Sequence, residues 1–246
     1  MKKLSWNDPE ETLDTLFEGR LKILQKKSGY RFSIDALLLA HFAEPRPMDR
    51  IIDLGTGCGI IPLILAFRHK AEKIVGVEIQ PSLANLAWRN VALNRLSSRI
   101  KIREKDFRNL EGKSWKGNFD LVLGNPPYRK VGAGRVNPHL EKALARHEFK
   151  ATLQDVLRAA QYLLKEKGRL TMIYPALRAA ELIQEMRKFH LEPKRLQFVH
   201  SHLKEEARLM MVESFKEGRA QVRVLPPLFL YDSTGNHTPE AQELFR

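Results

Sequence analysis

Cysteine is nearly absent from this sequence. Cys58 is the only one in the 246-residue chain, so no disulfide can form within it. That usage fits a reducing, cytoplasmic compartment. Long apolar runs are missing too, and no stretch approaches the ~20 consecutive apolar residues of a membrane-spanning helix. The N-terminal MKKLSWNDPEE begins basic but has no apolar stretch behind it, so it does not read as a secretory leader. No internal repeat and no low-complexity segment is present. Metal ligands are sparse: His200 and His202 form one pair without a third or fourth ligand at zinc-like spacing, and no metal site is expected. Acids are the minority charge, with 29 Asp and Glu against 42 Lys and Arg, a formal net charge of +13. Such an excess attracts polyanions in a salt-dependent way. Hydrophobic content is 43%, enough for a sizeable core.

The chain divides near residue 50. In the segment 1–49, a polar helix is expected over 11–18. A short hairpin then runs from 21–25 to 30–32 around a turn at 26–29. Ser33 is placed to cap a helix through IDALLLAHFA, and Pro45 and Pro47 close the segment. From 50 to 246 strand and helix alternate. Strands are expected at 50–54, 73–77, 100–104, 119–123 and 169–174, with helices at 60–68, 81–94, 152–165 and 176–189. Extended runs at 195–200, 208–214 and 222–231 follow with no long helix between them. This order predicts an α/β fold: a doubly wound, mostly parallel sheet, helices on both faces, and an antiparallel hairpin at one edge.

The first strand of the α/β part ends in Asp53-Leu54-Gly55-Thr56-Gly57-Cys58-Gly59-Ile60. Glycines there let a ligand approach the backbone, at the strand end where open α/β sheets bind ligands. A dinucleotide fingerprint requires G-x-G-x-x-G. The spacing here is G-x-G-x-G, and the form resembles the first motif of class I methyltransferases, which bind S-adenosylmethionine. Acids follow the next two strands. Glu78, with Ile79 beside it, is placed to accept from ribose hydroxyls. Asp106 is placed to accept from the adenine amine, with Phe107 packing on the ring. Asp53 is expected to orient the glycine turn or the amino-acid end of the cofactor.

The fourth strand runs into Gly124-Asn125-Pro126-Pro127-Tyr128. Prolines have no backbone N–H, so the turn is stiff and its carbonyls stay available. The Asn125 side chain and the Pro126 carbonyl offer two acceptors for the two protons of one amino group. Tyr128 supplies an aromatic face for a base. N-P-P-Y resembles the fourth motif of amino-methyltransferases acting on adenine N6 or on the glutamine amide.

A narrower resemblance covers residues 11–245. The stretch from Gly29 and Phe32 through Ala40, and the C-terminal Leu225-Pro226-Pro227 to Thr238-Pro239-Glu240, are similar to the bacterial tRNA1(Val) (adenine-37-N6)-methyltransferase-like family. The resemblance implies a seven-stranded, Rossmann-like sheet with residues 1–49 packed on the cofactor site. It also implies that Phe32, Ser33 and Asp35 lie beside the methionine end of S-adenosylmethionine. The expected acceptor is adenine N6 in tRNA or another structured RNA. A basic stretch after the motif, with Arg129, Lys130 and Arg135, is expected to contact the RNA backbone. Two other readings stay open at this point. One is protein glutamine N5-methylation, although only about 50 residues precede the glycine turn and little chain is left to hold a protein substrate. The other is a non-catalytic RNA-binding module with a vestigial cofactor site. Nothing in the sequence fixes an oligomeric state.

Overall fold

A computed structural model describes residues 8–28, 31–69, 71, 73–126 and 151–245. The chain opens with β1 (Glu11–Leu16) and β2 (Leu21–Lys26), paired antiparallel as a separate two-stranded sheet. This corrects the helix expected over 11–18 and moves the hairpin turn from 26–29 to residues 17–20. Leu13 and Leu16 are three apart and imitate a helical face, but Thr12 and Thr15 suit a strand, and β2 offers a backbone partner for every residue of β1. Phe17, Glu18 and Gly19 close the turn at positive φ (52°, 56° and 82°). Two of these are not glycine, and the cost of that conformation is offset where Phe17 is buried and stacks on Phe67 at 4.9 Å.

Helix α1 (Ile34–Phe42) follows; its run Ala36–Ala40 is wholly buried. Ser33 occupies the N-cap position, but its side chain makes no capping hydrogen bond. Then come β3 (Arg50–Leu54), α2 (Ile60–Arg68), β4 (Lys73–Glu78), α3 (Pro81–Leu93), β5 (Ile100–Glu104) and β6 (Phe119–Gly124). After residue 151 lie α4 (Leu153–Leu163), β7 (Leu164–Pro175), α5 (Ala179–Lys188), β8 (Leu191–His200) and β9 (Ala207–Lys216). Two-residue strands β10 (Arg223–Val224) and β11 (Leu228–Phe229) and a short α6 (Pro239–Gln242) complete the described chain.

The seven long strands lie in the order β8-β9-β7-β6-β3-β4-β5. All neighbours are parallel except β9, which runs antiparallel between β7 and β8. The expected antiparallel element is therefore present, with β9 inserted between β7 and β8. The final extended run breaks at Pro226 and Pro227 into β10 and β11, both added to the outer edge of β8. Helices α1, α2 and α3 cover one face of the sheet and share a core with β2. Helices α4 and α5 cover part of the other face. α4 begins at a full capping box between Thr152 and Asp155.

The hairpin is fixed to the α/β body by two asparagines one helical turn apart, Asn90 in α3 and Asn94 at its C-cap. Asn90 Oδ1 accepts from the Leu24 amide at 2.7 Å, and its Nδ2 donates to the Leu24 carbonyl at 3.0 Å. Asn94 does the same for Lys22, at 2.9 and 2.6 Å. Lys22 and Leu24 are alternate residues whose backbone groups point away from β1. The two amides thus complete the free edge of β2 as a neighbouring strand would. Asn90 is fully buried and also donates to the Cys58 carbonyl at 2.9 Å. Replacing it strands three backbone groups. Asn90→Ala should destabilise the fold by about 3–5 kcal/mol and Asn94→Ala, at a partly exposed position, by about 1 kcal/mol. Urea denaturation of both variants checks this, and equal losses would show that burial is not what sets the cost.

Candidate active site

β3, β4, β5 and β6 all end on one side of the sheet, and their carboxyl ends surround a cleft of about 320 Å³. This is the size of a small-molecule site and the place where open α/β sheets bind ligands. Its lining joins residues far apart in sequence: Ser33 and Asp35 before and in α1, Gly55 and Gly57 after β3, Glu78 at the end of β4 and Ile79 after it, Asp106 and Phe107 after β5, and Asn125 and Pro126 after β6. Arg31, Gln80 and Arg108 are polar members of the lining that sequence reasoning did not assign to it.

The glycine turn is held by the strand beside it. The amides of Gly55 and Thr56 both donate to the Val77 carbonyl at 2.9 Å. The Gly57 amide donates to Glu78 Oε2, and the Gln80 amide to Glu78 Oε1, each at 2.9 Å. Glu78 is buried, so these two bonds fix its carboxylate while leaving lone pairs for donors in the cleft. Gly55 has φ +72°, and a Cβ there would meet nothing within 4 Å because that face opens on the cleft. Gly59 has a different task. It starts α2 at φ +83°, where a Cβ would come to 3.2 Å from Ala87 Cβ, so it lets α2 approach α3.

Asp106 is tied to the residue two places on. Its carboxylate accepts from the Arg108 amide at 2.9 Å and from Arg108 Nε at 2.8 and 3.0 Å. Partial burial pushes its pKa up, but these bonds and the guanidinium charge outweigh it and hold the carboxyl below its usual range. The acid therefore stays an acceptor at the cleft wall. The Gln80 and Arg108 contributions left little signal in the sequence. Gln80 acts through its backbone amide, which any residue but proline would provide. Arg108 had one available signal, its place directly after Asp106-Phe107.

Four residues expected at the cofactor lie behind the lining. Phe32 packs on the core, and its amide donates to Gln25 Oε1 at 3.0 Å. Thr56 and Asp53 are sealed under the glycine turn, and Gly59 stands at the helix contact. Tyr128, Arg129, Lys130 and Arg135 fall outside the described residues. His200 and His202 bond to backbone carbonyls, and no group of three metal-ligating side chains exists among the described residues. Burial pushes the Cys58 thiol up to about 12, which makes it packing rather than a nucleophile.

Asp53 carries the largest electrostatic strain among the described residues near the cleft. Its carboxyl oxygens are buried without a partner in hydrogen-bonding geometry. Burial raises its pKa to about 7; the nearby Thr56 hydroxyl opposes the rise and the Glu78 charge adds to it. In the unfolded chain the group ionises near its ordinary 3.8. Between these values the folded state holds a proton that the unfolded state has lost, so stability falls as pH rises from about 4 to 7 and then levels. Asp53→Asn removes that penalty. Its stability relative to the wild type should improve between pH 4 and pH 8 by on the order of 4 kcal/mol. Chemical denaturation across that range tests the sign, and a constant difference between the two proteins would contradict it.

Residues 33–199 match the methyltransferase small domain family. A tRNA1(Val) (adenine(37)-N6)-methyltransferase of Porphyromonas gingivalis is 31% identical over 229 residues, 90% of this chain and 89% of the relative. Among solved structures, a predicted O-methyltransferase, Atu636 of Agrobacterium tumefaciens, matches with a TM-score of 0.68 at 25% identity, over 85% of this chain and 94% of that one. P. horikoshii TYW2, solved in complex with MeSAdo, gives 0.59 at 15% identity over 87% and 74%, a likeness of fold alone. The cleft suits the cofactor of these enzymes on its own terms: an open glycine face, a fixed buried carboxylate on the next strand, and an ionised Asp106 on the one after. The chain belongs to the methyltransferase small domain family, and it is an S-adenosylmethionine-dependent methyltransferase.

Proposed function

We propose that this enzyme methylates the exocyclic N6 amine of adenine in tRNA. The observation that carries the reading is the position of Asn125 and Pro126 in the lining of the same cleft as the glycine turn, Glu78 and Asp106. The names of its relatives support tRNA as the substrate class, and adenine 37 of tRNA1(Val) is the position to test first.

In this reading Glu78 accepts from the ribose hydroxyls of the cofactor and Asp106 from its adenine amine, with Ile79 and Phe107 against the ring. Gly55 and Gly57 admit the chain that joins the ribose to the amino acid, and Ser33 and Asp35 face the amino-acid end. Behind the lining, Asp53, Thr56 and Gly59 hold the glycine turn and Phe32 backs the α1 side. When bound, S-adenosylmethionine supplies a methyl group made electrophilic by the positive charge on sulfur.

The work left to the chain is placement of a weak nucleophile. The N6 lone pair is delocalised into the adenine ring. The Asn125 side-chain carbonyl and the Pro126 backbone carbonyl accept the two N6 protons and so fix where the lone pair points. They also favour the positive charge that grows on nitrogen as the new N–C bond forms. Orientation of this kind is worth several orders of magnitude in rate. After transfer the nitrogen releases one proton to solvent. A hydroxyl acceptor has one proton and would use only one of the two carbonyls, which argues for an amine over the oxygen acceptor in the name of the Agrobacterium relative. Tyr128 is the proposed stacking face for the base, and Arg129, Lys130 and Arg135 the proposed contacts to its backbone.

The test is transfer of labelled methyl from S-adenosylmethionine to unmodified tRNA, with the product digested to nucleosides. The label should appear in N6-methyladenosine. Asn125→Ala should lower kcat by about 10²–10³-fold, the usual loss when one oriented hydrogen-bonding group is removed. Cofactor affinity should stay near the wild-type value. Label in a protein fraction instead would move the assignment to a glutamine amide, and cofactor binding with no transfer to RNA, DNA or protein would leave a binding module.

A further inference from the structure

Among the described residues no α-helix packs on the face of β5 opposite α2 and α3, and the exposed side chains of that face, on β5 and at the amino ends of β4 and β3, are cations. On β5, Ile100 and Ile102 turn into the core shared with α2 and α3. Strand alternation sends Lys101 and Arg103 to the other face. The register agrees, since Lys101 lies beside Val75 and Arg103 beside Val77, and both valines belong to the core on that other face. Lys105 extends the row, its amide continuing the ladder to the Glu78 carbonyl at 3.0 Å. Lower on the same face, Lys73 of β4 stands directly beside Arg50 of β3. All five side chains are exposed.

Among the described residues, Lys73, Lys101, Arg103 and Lys105 form no ion pair. Of the acids near the row, Glu104 shares the face of Ile100 and Ile102, Asp106 is held by Arg108, and Asp120, which accepts from the Arg50 amide, is paired with Lys165. Lysine on an edge strand commonly guards against strand pairing between molecules. That explains one charge on β5. It does not explain a row that continues onto β4 and β3, which are interior strands.

The row has a direction. From Lys101 to Lys105 it covers about 13 Å of strand rise, with a cation about every 7 Å. Its upper end is adjacent in sequence to Asp106 in the cleft wall. Asn125 lies three strand spacings away across the carboxyl edge, about 14 Å. We propose that this face is the track on which the phosphate backbone of the RNA substrate lies while the target base enters the cleft, an inference that rests on RNA being the acceptor. The contacts would be to phosphate and would position the RNA rather than read its sequence.

The test combines Lys73→Glu, Lys101→Glu and Arg103→Glu, leaving Lys105 in place because it adjoins the cofactor wall. A Gln series at the same positions accompanies it in case charge reversal impairs folding. As a control, Lys204, Arg219 and Arg223, which are exposed at the opposite end of the sheet, are changed to Glu. Binding of total tRNA is measured against salt, along with KM and kcat for methyl transfer. The track variants should raise the tRNA KM by about tenfold or more and lower the slope of log affinity against log salt by about 2 to 3, one unit per lost phosphate contact. Affinity for S-adenosylhomocysteine and kcat at saturation should hold, and the control should change far less. Unchanged KM and slope, an equal loss in the control, or no tRNA binding by the wild type would each overturn the track. If the wild type binds tRNA with this slope dependence but methylates none, the track stands and the RNA-methylation reading fails.

Discussion

The fold depends on one buried side-chain amide. Asn90 joins the N-terminal hairpin, α3 and the glycine turn at a single point, through both backbone groups of Leu24 and the carbonyl of Cys58. A buried amide with all these bonds satisfied specifies geometry more sharply than an apolar contact, because each misplacement leaves a polar group unpaired. The glycine turn is thereby fixed from two sides. α3 holds the Cys58 carbonyl, and β4 holds the amides of Gly55, Thr56 and Gly57. The close approach needs space as well. Gly76 of β4 lies under the turn, where an added Cβ would fall 2.9 Å from the Thr56 side chain. A cofactor cleft built this way is set before any ligand arrives.

The electrostatics of the cleft follow from the same arrangement. Three acids stand at or under the ends of three neighbouring strands, and each is treated differently by its surroundings. Glu78 is buried but receives two backbone amides. Asp106 is partly buried and held in its charged form by Arg108. Asp53 has burial without compensation and is driven toward neutrality. Two fixed acceptors therefore face the cleft, and a strained acid lies behind the turn. In a chain with a net charge of +13, this small acidic centre is set apart from the cationic surface around it. The separation lets one molecule attract a polyanion and still hold a positively charged sulfonium.

Legibility in the sequence tracked how local the determinant was. β3 and α2 have the expected bounds because each is a short, largely apolar run ended by its own glycine or arginine, and β5 because its apolar–charged alternation stops at an acid. The N-terminal hairpin was misread because what makes residues 11–16 a strand is its pairing with β2, and what supports β2 is a pair of asparagines about seventy residues on, Asn90 and Asn94. No window of local sequence contains that relation. The cleft was legible where side chains carry it, as at Glu78, Asp106 and Asn125, and not where backbone does, as at Gln80. Motif membership also proved coarser than position: Phe32, Asp53, Thr56 and Gly59 belong to the motif stretches yet stand behind the lining.

The strands also record which faces are covered, and that record reaches function. β3 and β6 read as nearly unbroken apolar runs, IIDL and LVLG, because helices lie on both sides of the sheet centre. β5 reads IKIRE, alternating from Ile100 to Arg103, because α2 and α3 cover one face of it. The connection from β5 to β6 holds a single 3-10 turn at Phe107–Asn109 and no α-helix; its Phe107, Leu110 and Trp115 join the core of Val75 and Val77 on the second face, and the outer strand β5 stays exposed there. A sheet face left open in this way could be finished with neutral polar residues at little cost. Here it carries lysine and arginine at successive outward positions, whose mutual repulsion slightly disfavours the folded state unless a counter-charge arrives. The fold thus places its uncovered flank, its surplus positive charge and the wall of the cofactor cleft side by side, and a bound polyanion would relieve the repulsion that the free protein carries.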